Sequence, residues 1–371
     1  PSLKLPAKLL SLYCENSSNK NGMFAFVYSD KYLEYNFGPT HPLKPSRTKK
    51  LLTLLHSTEF KKLMTVHEPR MASRSEIELF HTSDYVNFVA EMSRIGVGLL
   101  DMGDTPAFEG CYEASSTIVG GTLTAVDLAL TGKFEFTVNM AGGLHHAHPN
   151  RASGFCIFND PAIAIAYLID RDFKRIMYLD IDAHHGDGVM YGFYSDERVL
   201  DIDIHESGLY LFPGTGFVHE IGDGNGRGLK LNIPLPPYAG DDAFLMAFNE
   251  VFHKAVEKFK PEIIIVQCGA DGYMGDPLTH LNYSTKTYIE VAKAVKEASQ
   301  KYCNGRLIIL GGGGYNIENT VRVWSLVIAT LIGETDIFRR FIDLSQTKSS
   351  IEILSTVEKI INELRKTTII G

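Results

Sequence analysis

Apolar and polar positions alternate along this chain in blocks of two lengths. Short apolar runs have the composition of buried strands, and between them lie stretches long enough for helices. The apolar runs are residues 24–28, 136–140, 175–182, 199–204, 263–268 and 307–310. The helix-length stretches lie near 45–56, 84–95, 112–131, 160–170, 241–259, 285–302 and 316–332. This alternation predicts an α/β fold, as a single three-layer α/β/α domain with a mainly parallel central sheet.

Two segments flank the alternating region, which is expected to form one domain over residues 23–334. Residues 1–22 end in a polar, linker-like stretch and are interpreted as an N-terminal extension. Residues 335–371 predict helices that pack on the outside of the same domain. Their apolar face is formed by Ile351, Ile353, Leu354, Val357, Ile360 and Ile361.

Long connections interrupt the pattern at residues 96–111, 142–160, 205–240 and 269–284. Each follows a predicted element and carries Gly, Pro, His or Asp. Loops of this length in a compact domain are usually functional or disordered. The chemistry of the residues that they carry favours function.

Charge and composition narrow the classes of function. The chain has a net charge of -8, with 44% hydrophobic and 22% charged residues. These values are typical of a globular protein and argue against direct nucleic-acid binding. No apolar run approaches the roughly 20 residues that span a bilayer, so no membrane partner is expected. The five cysteines are scattered and odd in number, which favours reduced thiols and a cytoplasmic location.

The segment 180–188 carries the densest chemistry of the chain. It follows an apolar run, so its polar groups fall where a strand ends, the place at which open α/β sheets bind ligands. On a strand, Asp182 and His184 would project to the same side, as a pair of metal ligands does. The alternative is a polar turn in which Asp187 caps a helix.

Asp271 follows the apolar run 263–268 in the same way. An aspartate between small residues is often only a turn former. As a third ligand beside Asp182 and His184 it would leave one coordination position open, which describes a catalytic zinc. Iron(II) suits the same ligand set.

The adjacent histidines His145 and His146 also follow an apolar run. Such a pair serves as ligands, as bases or as solvated loop residues. With Asp180 and Asp187 in the chain, each of the two imidazoles could have one carboxylate partner. Such a partner would fix the tautomer of the imidazole and raise its basicity. We therefore expect His145 and His146 to be catalytic, and His148 to have a loop role.

Three aromatic residues lie in glycine-rich loops. Tyr315 follows the glycine run 311–314, which lacks the Lys-Ser/Thr of a phosphate loop and would let backbone pass closely. Its hydroxyl suits donation to a developing oxyanion, and the alternative is packing at a turn. Phe155 and Phe212 would sandwich an unbranched alkyl chain, although the residues alone favour loop anchoring.

Together these motifs resemble the arginase–deacetylase superfamily, and most closely the zinc-dependent histone deacetylase family with its bacterial and archaeal acetoin-utilisation relatives. The matching segments run in family order between residues 23 and 330. They are residues 41–47, 142–146, 154–156, 180–188, 212–216, 269–271 and 311–315. The resemblance implies a deacetylase catalytic domain that acts on acetyl-lysine, an acetylpolyamine or a small acetylated amine.

The resemblance also implies roles for individual residues. It implies a zinc held by Asp182, His184 and Asp271, with Asp180 and Asp187 orienting the two histidines. It makes His146 the general base and acid, His145 its electrostatic partner, and Tyr315 the group that polarises the amide carbonyl. The implied substrate contacts are Asp104 at the rim, Gly154, Phe155, Phe212 and Leu278 along an acyl-lysine tunnel, and Arg47 beside a cavity that takes acetate.

One departure from the family concerns a monovalent cation. The resemblance implies a structural potassium site formed by Asp180, Asp182, His184, Asp203 and Ile204. Asp203 stands where family members usually have Ser or Thr, and its carboxylate would strengthen cation binding or change its preference. Leu144 in place of an aromatic residue indicates the microbial branch.

Two rival functions are disfavoured. A binuclear manganese ureohydrolase on the same fold needs carboxylates at two positions where Gly186 and Tyr273 stand. An inactive acyl-lysine binder would lack Tyr315 or a metal ligand, and all of these are present. The sequence leaves open the natural substrate, the acyl chain length and the oligomeric state, a homo-oligomer included.

Overall fold

A computed structural model describes residues 23–371, so the predicted extension 1–22 lies outside the described residues. Within residues 23–371, eight strands form one sheet in which every neighbouring pair is parallel. The strands are β1 (Phe24–Val27), β2 (Met64–His67), β3 (Phe136–Asn139), β4 (Ile176–Asp180), β5 (Val199–Glu206), β6 (Lys230–Leu235), β7 (Ile263–Gln267) and β8 (Leu307–Leu310). Across the sheet their order is β2-β1-β3-β8-β7-β4-β5-β6.

Helices connect the strands and cover the sheet, which confirms the predicted three-layer α/β/α fold. They are α1 (Ser46–His56), α2 (Arg74–Ile77), α3 (Ser83–Ile95), α4 (Cys111–Leu130), α5 (Asp160–Ile169), α6 (Asp187–Gly192), α7 (Asp241–Phe259), α8 (Thr285–Tyr302), α9 (Ile317–Ile332) and α10 (Ile351–Thr367). Short 3-10 helices lie at Asp30–Glu34, Glu59–Lys62, Gly224–Gly226 and Thr335–Phe341. Over residues 23–371, none of the helices has the length and apolar character needed to cross a bilayer.

The sequence pattern misses two strands. In β2 only Met64 is buried, so its four residues carry little apolar signal. Strand β6 lies inside 205–240, and the prediction that this whole segment is a connection is wrong. The strand begins with Lys230 and contains Pro234, which cannot donate to a ladder and therefore favours an edge strand. Strand β6 is indeed one of the two edge strands of the sheet.

The order of the strands explains how distant residues converge. Strands β3, β8, β7 and β4 are consecutive neighbours, and because they are parallel they all end at the same edge of the sheet. This edge is where open α/β sheets bind ligands. The loops that follow these four strands carry, in that order, His145 and His146, then Tyr315, then Asp271, and then Asp182 and His184.

The C-terminal segment packs against α7 and β6 through helix α10. The buried residues of α10 are Val357, Ile360, Ile361 and Leu364, whereas Ile351 from the predicted apolar face is 81% exposed. Asp241, the first residue of α7, joins this segment to the domain. Its buried carboxylate accepts hydrogen bonds from the backbone N–H groups of Ser284 and Thr347 at 2.8 Å each.

Candidate metal and catalytic site

The three predicted metal ligands lie together. Asp182, His184 and Asp271 each offer a ligand atom, and these atoms lie within 4.8 Å of one another. His184 Nδ1 is 3.1 Å from Asp182 Oδ1 and 2.9 Å from Asp271 Oδ2. All three side chains are buried. Two carboxylates and one imidazole are donors that fit a divalent metal with an open coordination position.

The loop after β4 holds two of these ligands by local hydrogen bonds. Strand β4 ends at Asp180, so the prediction of a strand that continues to residue 182 is wrong. Asp180 Oδ1 accepts a hydrogen bond from the N–H of Asp182, and Asp182 Oδ1 accepts one from the N–H of His184, each at 3.0 Å. Aspartates commonly close turns in this way. The two successive turns let both side chains reach Asp271.

Neighbouring strands supply further donors that fix Asp182. Gln267 Nε2 donates to Asp182 Oδ2 at 2.7 Å, and the N–H of Gly313 donates to the same oxygen at 2.6 Å. A side chain at residue 313 is excluded, because its Cβ would lie 2.1 Å from Asp271 Oδ2. The glycine run after β8 therefore lets backbone approach the carboxylates closely, which is the role inferred for it from the sequence.

In the absence of a metal, the cluster retains a proton. Burial would lower the pKa of His184, but Asp182 and Asp271 beside its Nδ1 raise it to about 10. Burial and the negative charge of Asp182 raise the pKa of Asp271 to about 7. Metal ligands have to be deprotonated, so a divalent ion would take the place of this proton.

Next to the cluster, His145 and His146 form a pair whose Nε2 atoms are 3.0 Å apart. His145 Nδ1 is 2.7 Å from Asp180 Oδ2, and His146 Nδ1 is 2.8 Å from Asp187 Oδ1. Each histidine thus has the carboxylate partner expected from the sequence. Both Nδ1 atoms face acceptors and carry hydrogen, so a single proton fits between the two Nε2 atoms.

The two imidazoles differ in charge. Burial would lower the pKa of His145, but Asp180 and Asp182 raise it to about 10. Burial and the positive charge of His145 lower the pKa of His146 to about 4, although Asp187 acts in the opposite direction. At neutral pH, His145 therefore carries the shared proton and His146 is neutral, the protonation state that a general base requires.

His148 does more than close a loop, which was the role expected from the sequence. Its Nε2 is 2.9 Å from Asp187 Oδ2, the second oxygen of the carboxylate that holds His146. Its ring is buried and stacks on Tyr191, with the ring centroids 6.3 Å apart. Asp187 is the first residue of helix α6, but Gly186 is at the N-cap and no side chain caps the helix there, so the alternative in which Asp187 caps a helix is wrong.

Tyr315 lies beside His184, the metal ligand that His146 also approaches. Its ring centroid is 6.2 Å from that of His184, and the ring of His146 is 5.9 Å from His184. The backbone N–H of Tyr315 donates to Asp276 Oδ2 at 2.8 Å. Burial raises the pKa of Tyr315 well above its usual value, an effect that Asp271 increases. The hydroxyl therefore keeps its proton and can act as a donor.

Arg47 is buried behind this residue. Its Nη1 donates to the carbonyl oxygen of Gly314 at 3.0 Å, and its guanidinium carbon is 5.0 Å from the ring centroid of Trp324. Together with Tyr32 and Leu144, Arg47 lines a small, partly open cavity. That this cavity takes acetate stays a prediction.

Two phenylalanines flank the approach to the site. The ring of Phe212 is 5.0 Å from that of His146, and the ring of Phe155 is 6.0 Å from that of Tyr315. A Cβ at Gly154 would lie 2.5 Å from His146 Cδ2, and the φ of this residue is +53°, so both space and conformation require glycine. Phe212 is 42% exposed and Phe155 is half-buried. The ring of Phe212 therefore lies between solvent and His146, and the ring of Phe155 lies beside Tyr315.

The rim residues join this aromatic pair through hydrogen bonds. Asp104 lies at the surface with part of its carboxylate shielded from water, and its carbonyl oxygen is 3.2 Å from His41 Nε2. The next residue, Thr105, accepts the N–H of Phe155 at 3.0 Å. Partial burial and the neighbouring Asp101 raise the pKa of Asp104 to about 6. Leu278 is half-buried, and its N–H donates at 3.0 Å to Asp276, the carboxylate that also holds the backbone of Tyr315.

Asp203 lies next to Asp180 in the ladder between β4 and β5, close to the predicted cation site. Its Oδ2 accepts the N–H of Gly186 at 2.7 Å, and its Oδ1 is 2.6 Å from His205 Nδ1. Ile204 is fully buried beside it. Both oxygens of the additional carboxylate thus already have partners in the protein.

Sequence reasoning missed Gln267 and the contact of His148. The signal for Gln267 was available, because a glutamine that ends a run of Ile and Val breaks the apolar pattern at the edge where the site lies. The contact of His148 with Asp187 joins two loops that are 39 residues apart. No local pattern reports such a contact.

The amino-acid sequence is similar to known proteins along most of its length. Residues 41–331 match the Histone deacetylase domain. The chain is 42% identical over 316 residues to the acetoin utilization protein AcuC of Bacillus subtilis (strain 168), which covers 81% of this chain and 80% of that protein. It is 41% identical over 319 residues to AcuC of Staphylococcus aureus (strain MRSA252), which covers 84% of this chain and 82% of that protein.

Solved structures of similar fold lead to the same family. An HDAC homolog from Aquifex aeolicus has a TM-score of 0.80 and 31% identity, and the match covers 91% of this chain and 99% of that one. An HDAC homolog complexed with SAHA has a TM-score of 0.80 and 30% identity, and the match covers 93% of this chain and 100% of that one. The predicted family and fold are confirmed: the chain belongs to the histone deacetylase family, among relatives of the AcuC type.

Proposed function

We propose that this chain is a metal-dependent amidohydrolase that removes the acetyl group from acetyl-lysine or a related acetylated amine. The observation that best supports this function is the pair of rings beside His184, with His146 at 5.9 Å and Tyr315 at 6.2 Å. A candidate base and a candidate oxyanion donor thus border one metal ligand. Addition of water to an amide carbonyl needs these groups around one point.

The metal in this proposal is zinc, with iron(II) as the alternative, and its ligands are Asp182, His184 and Asp271. When bound, it supplies Lewis-acid polarisation of the amide carbonyl and an acidified water molecule. The donor set fits this role because its three ligand atoms already lie within 4.8 Å of one another.

The side chains carry the proton transfers. The attacking water displaces the hydrogen bond of His145 from His146 Nε2 and gives its proton to that nitrogen, while Asp187 accepts the Nδ1–H of His146 and keeps the ring oriented. Tyr315 donates its hydroxyl to the carbonyl oxygen as negative charge develops, which contributes about 3 kcal/mol. His146 then gives its proton to the leaving amine, and the products are acetate and a free amine.

The surrounding residues select the substrate. Phe155 and Phe212 enclose an unbranched alkyl chain, with Leu278 beside them and Gly154 leaving room next to His146. Asp104 accepts N–H groups of a peptide at the rim. Arg47 borders the cavity that receives acetate. Lysine side chains and polyamines have the narrow shape that this slot requires.

A structural potassium ion belongs to the same proposal. Its ligands are Asp180, Asp182, His184, Asp203 and Ile204. Because both oxygens of Asp203 are already hydrogen-bonded, we assign coordination mainly to backbone carbonyl groups. The free, buried cysteines of the described residues suit a cytoplasmic protein.

A substrate panel tests the function. Purified protein loaded with zinc or with iron(II) is incubated with acetylated lysine peptides, acetylpolyamines and small acetylated amines, and released acetate is measured. Hydrolysis that is lost on chelation and in His146→Ala supports the proposal. A folded, metal-loaded protein that hydrolyses none of them contradicts it, and about two bound manganese ions with guanidino hydrolysis would indicate the ureohydrolase instead.

A further inference from the structure

Asp187 is shared by two imidazoles, one on each carboxylate oxygen. His146 Nδ1 is 2.8 Å from Oδ1 and His148 Nε2 is 2.9 Å from Oδ2. The three residues are only 4%, 5% and 8% exposed for Asp187, His146 and His148. Water therefore competes little for these hydrogen bonds, and each one affects the other through the common carboxylate.

The position of His148 is fixed from two sides. Its backbone N–H donates to the carbonyl oxygen of Arg151 at 3.0 Å, which closes a tight turn. Its ring stacks on Tyr191, with the two planes at 19°, and the hydroxyl of Tyr191 is hydrogen-bonded to Glu220. These contacts hold the Nε2–H of His148 on Asp187 rather than in solvent.

A second donor changes what a carboxylate does to its first partner. Hydrogen bonds to the ionised form stabilise that form. Burial would raise the pKa of Asp187, but the N–H groups of His146 and His148 bring it below its usual value. A carboxylate stabilised in this way attracts the Nδ1 proton of His146 less strongly than one with a single donor.

We propose that His148 is a positioning residue that, by sharing Asp187, sets the strength of the hydrogen bond that holds His146 Nδ1. The inference rests on the proposed function, in which His146 takes and returns the proton. The Nδ1 hydrogen bond keeps the imidazole oriented during both transfers, because it fixes where Nε2 points. His148 thus supports the two transfers without touching the substrate.

The test uses zinc-loaded, full-length protein with 15N-labelled histidine at neutral pH. The measured quantity is the proton chemical shift of His146 Nδ1–H, which is assigned by its loss in His146→Ala. In His148→Leu the resonance moves downfield, because Asp187 with one donor fewer accepts more strongly from His146. In His148→Gln it stays near the wild-type position, since the Gln amide supplies an N–H at the place of Nε2.

Two further variants separate this effect from packing. Tyr191→Leu keeps an apolar contact beside the ring of His148 and leaves both the turn at Arg151 and the donor unchanged, so the resonance is expected to stay in place. In His148→Asn the side chain is polar but too short to reach Asp187, so this variant is expected to give the same shift as His148→Leu. It replaces His148→Leu in the test if the leucine variant folds poorly. Melting temperature and bound zinc are measured for every variant.

Kinetics give a second readout. In His148→Leu we expect kcat to fall roughly tenfold with KM unchanged, and His148→Gln to recover most of the loss. An unmoved resonance in both His148→Leu and His148→Asn, or a His148→Gln that behaves like them, overturns the inference. If zinc-loaded wild type hydrolyses no acetylated amine, the proposed function fails, and the chemical shifts still decide whether His148 acts on His146.

Discussion

The two histidine–aspartate pairs of the site have the same composition and nearly the same geometry. The distance between imidazole and carboxylate is 2.7 Å in the Asp180–His145 pair and 2.8 Å in the Asp187–His146 pair. Both histidines are buried. Nevertheless the pKa of His145 is raised to about 10 and that of His146 is lowered to about 4.

The difference comes from the charges beyond each pair. His145 also faces Asp182, whose negative charge favours the imidazolium. His146 faces His145 and His184, whose positive charges disfavour a further proton. A carboxylate partner thus orients a histidine, but the wider surroundings decide whether it is a base or a fixed positive charge. A divalent metal on Asp182 and His184 would offset the negative charge of Asp182 near His145, and its own positive charge would replace that of the protonated His184 near His146.

The largest effect is expected from removing each histidine in turn. His146→Ala should lower kcat by roughly a thousandfold, within the usual range for a general base. His145→Ala should cost less, because it removes only the neighbouring charge. Turnover is measured at equal metal content. A larger loss of kcat in His145→Ala than in His146→Ala would mean that His145, and not His146, is the general base.

Tyr315→Phe removes a donor while leaving both pairs intact. We expect kcat to fall by roughly 10²–10³, as for loss of one oxyanion donor, while bound metal stays the same. Steady-state kinetics and metal analysis provide the check. Near-normal turnover in this variant would refute the role of Tyr315.

Metal binding at the cluster beside the two pairs should displace a proton. Because the pKa of His184 is about 10 and that of Asp271 about 7 without metal, the apparent metal affinity should fall by about tenfold for each pH unit between these values and more steeply below them. Calorimetry in buffers of different ionisation enthalpy measures the protons released. Binding with no proton release would contradict the assignment of His184 as a ligand.

Replacing the two aspartates separates stability from activity. Asp180 accepts hydrogen bonds from His145, from Tyr178 at 2.7 Å and from Asp182 at 3.0 Å. Asp180→Asn should therefore lower the free energy of unfolding by about 2 kcal/mol, more than Asp187→Asn does. Chemical denaturation measures this. Equal destabilisation by the two variants would mean that the additional donors of Asp180 contribute nothing.

The smallest effect is expected at the rim, far from both pairs. Asp104→Ala should raise KM for acetylated peptides by about tenfold, in line with the loss of one charged hydrogen bond. The kinetics of small acetylated amines should not change. If KM rises equally for acetylated peptides and for small acetylated amines, Asp104 does not contact the peptide backbone.

Much of the fold and site was predictable because buried apolar runs leave a strong pattern. The apolar runs that lead to Asp182, Asp271 and Tyr315 indicated roughly where these strands end, and parallel strands bring such ends to one edge. Strand β6 was not predictable, since Lys230 and Pro234 interrupt its apolar character. The extra length assigned to β4 had a similar cause, because Ile181 continues the apolar run into the loop.

The protonation states were beyond the reach of the sequence. His145 and His146 are adjacent and share one motif, so nothing local distinguishes them. Their difference depends on which of them faces Asp182 and which faces His184. The second partner of Asp187 could not be predicted for the same reason. In the sequence His148 does not differ from other polar loop residues, and only the fold places its Nε2 2.9 Å from Asp187 Oδ2.

The packing of α10 bears on how the protein tolerates shortening. Its buried side chains Val357, Ile361 and Leu364 cover apolar surface next to β6, a strand at the edge of the sheet. A chain cut before Ser350 would expose this surface beside an edge strand, a combination that promotes pairing between molecules and aggregation. Loss of the last helix should therefore reduce the yield of dispersed protein even though every catalytic side chain stays in place.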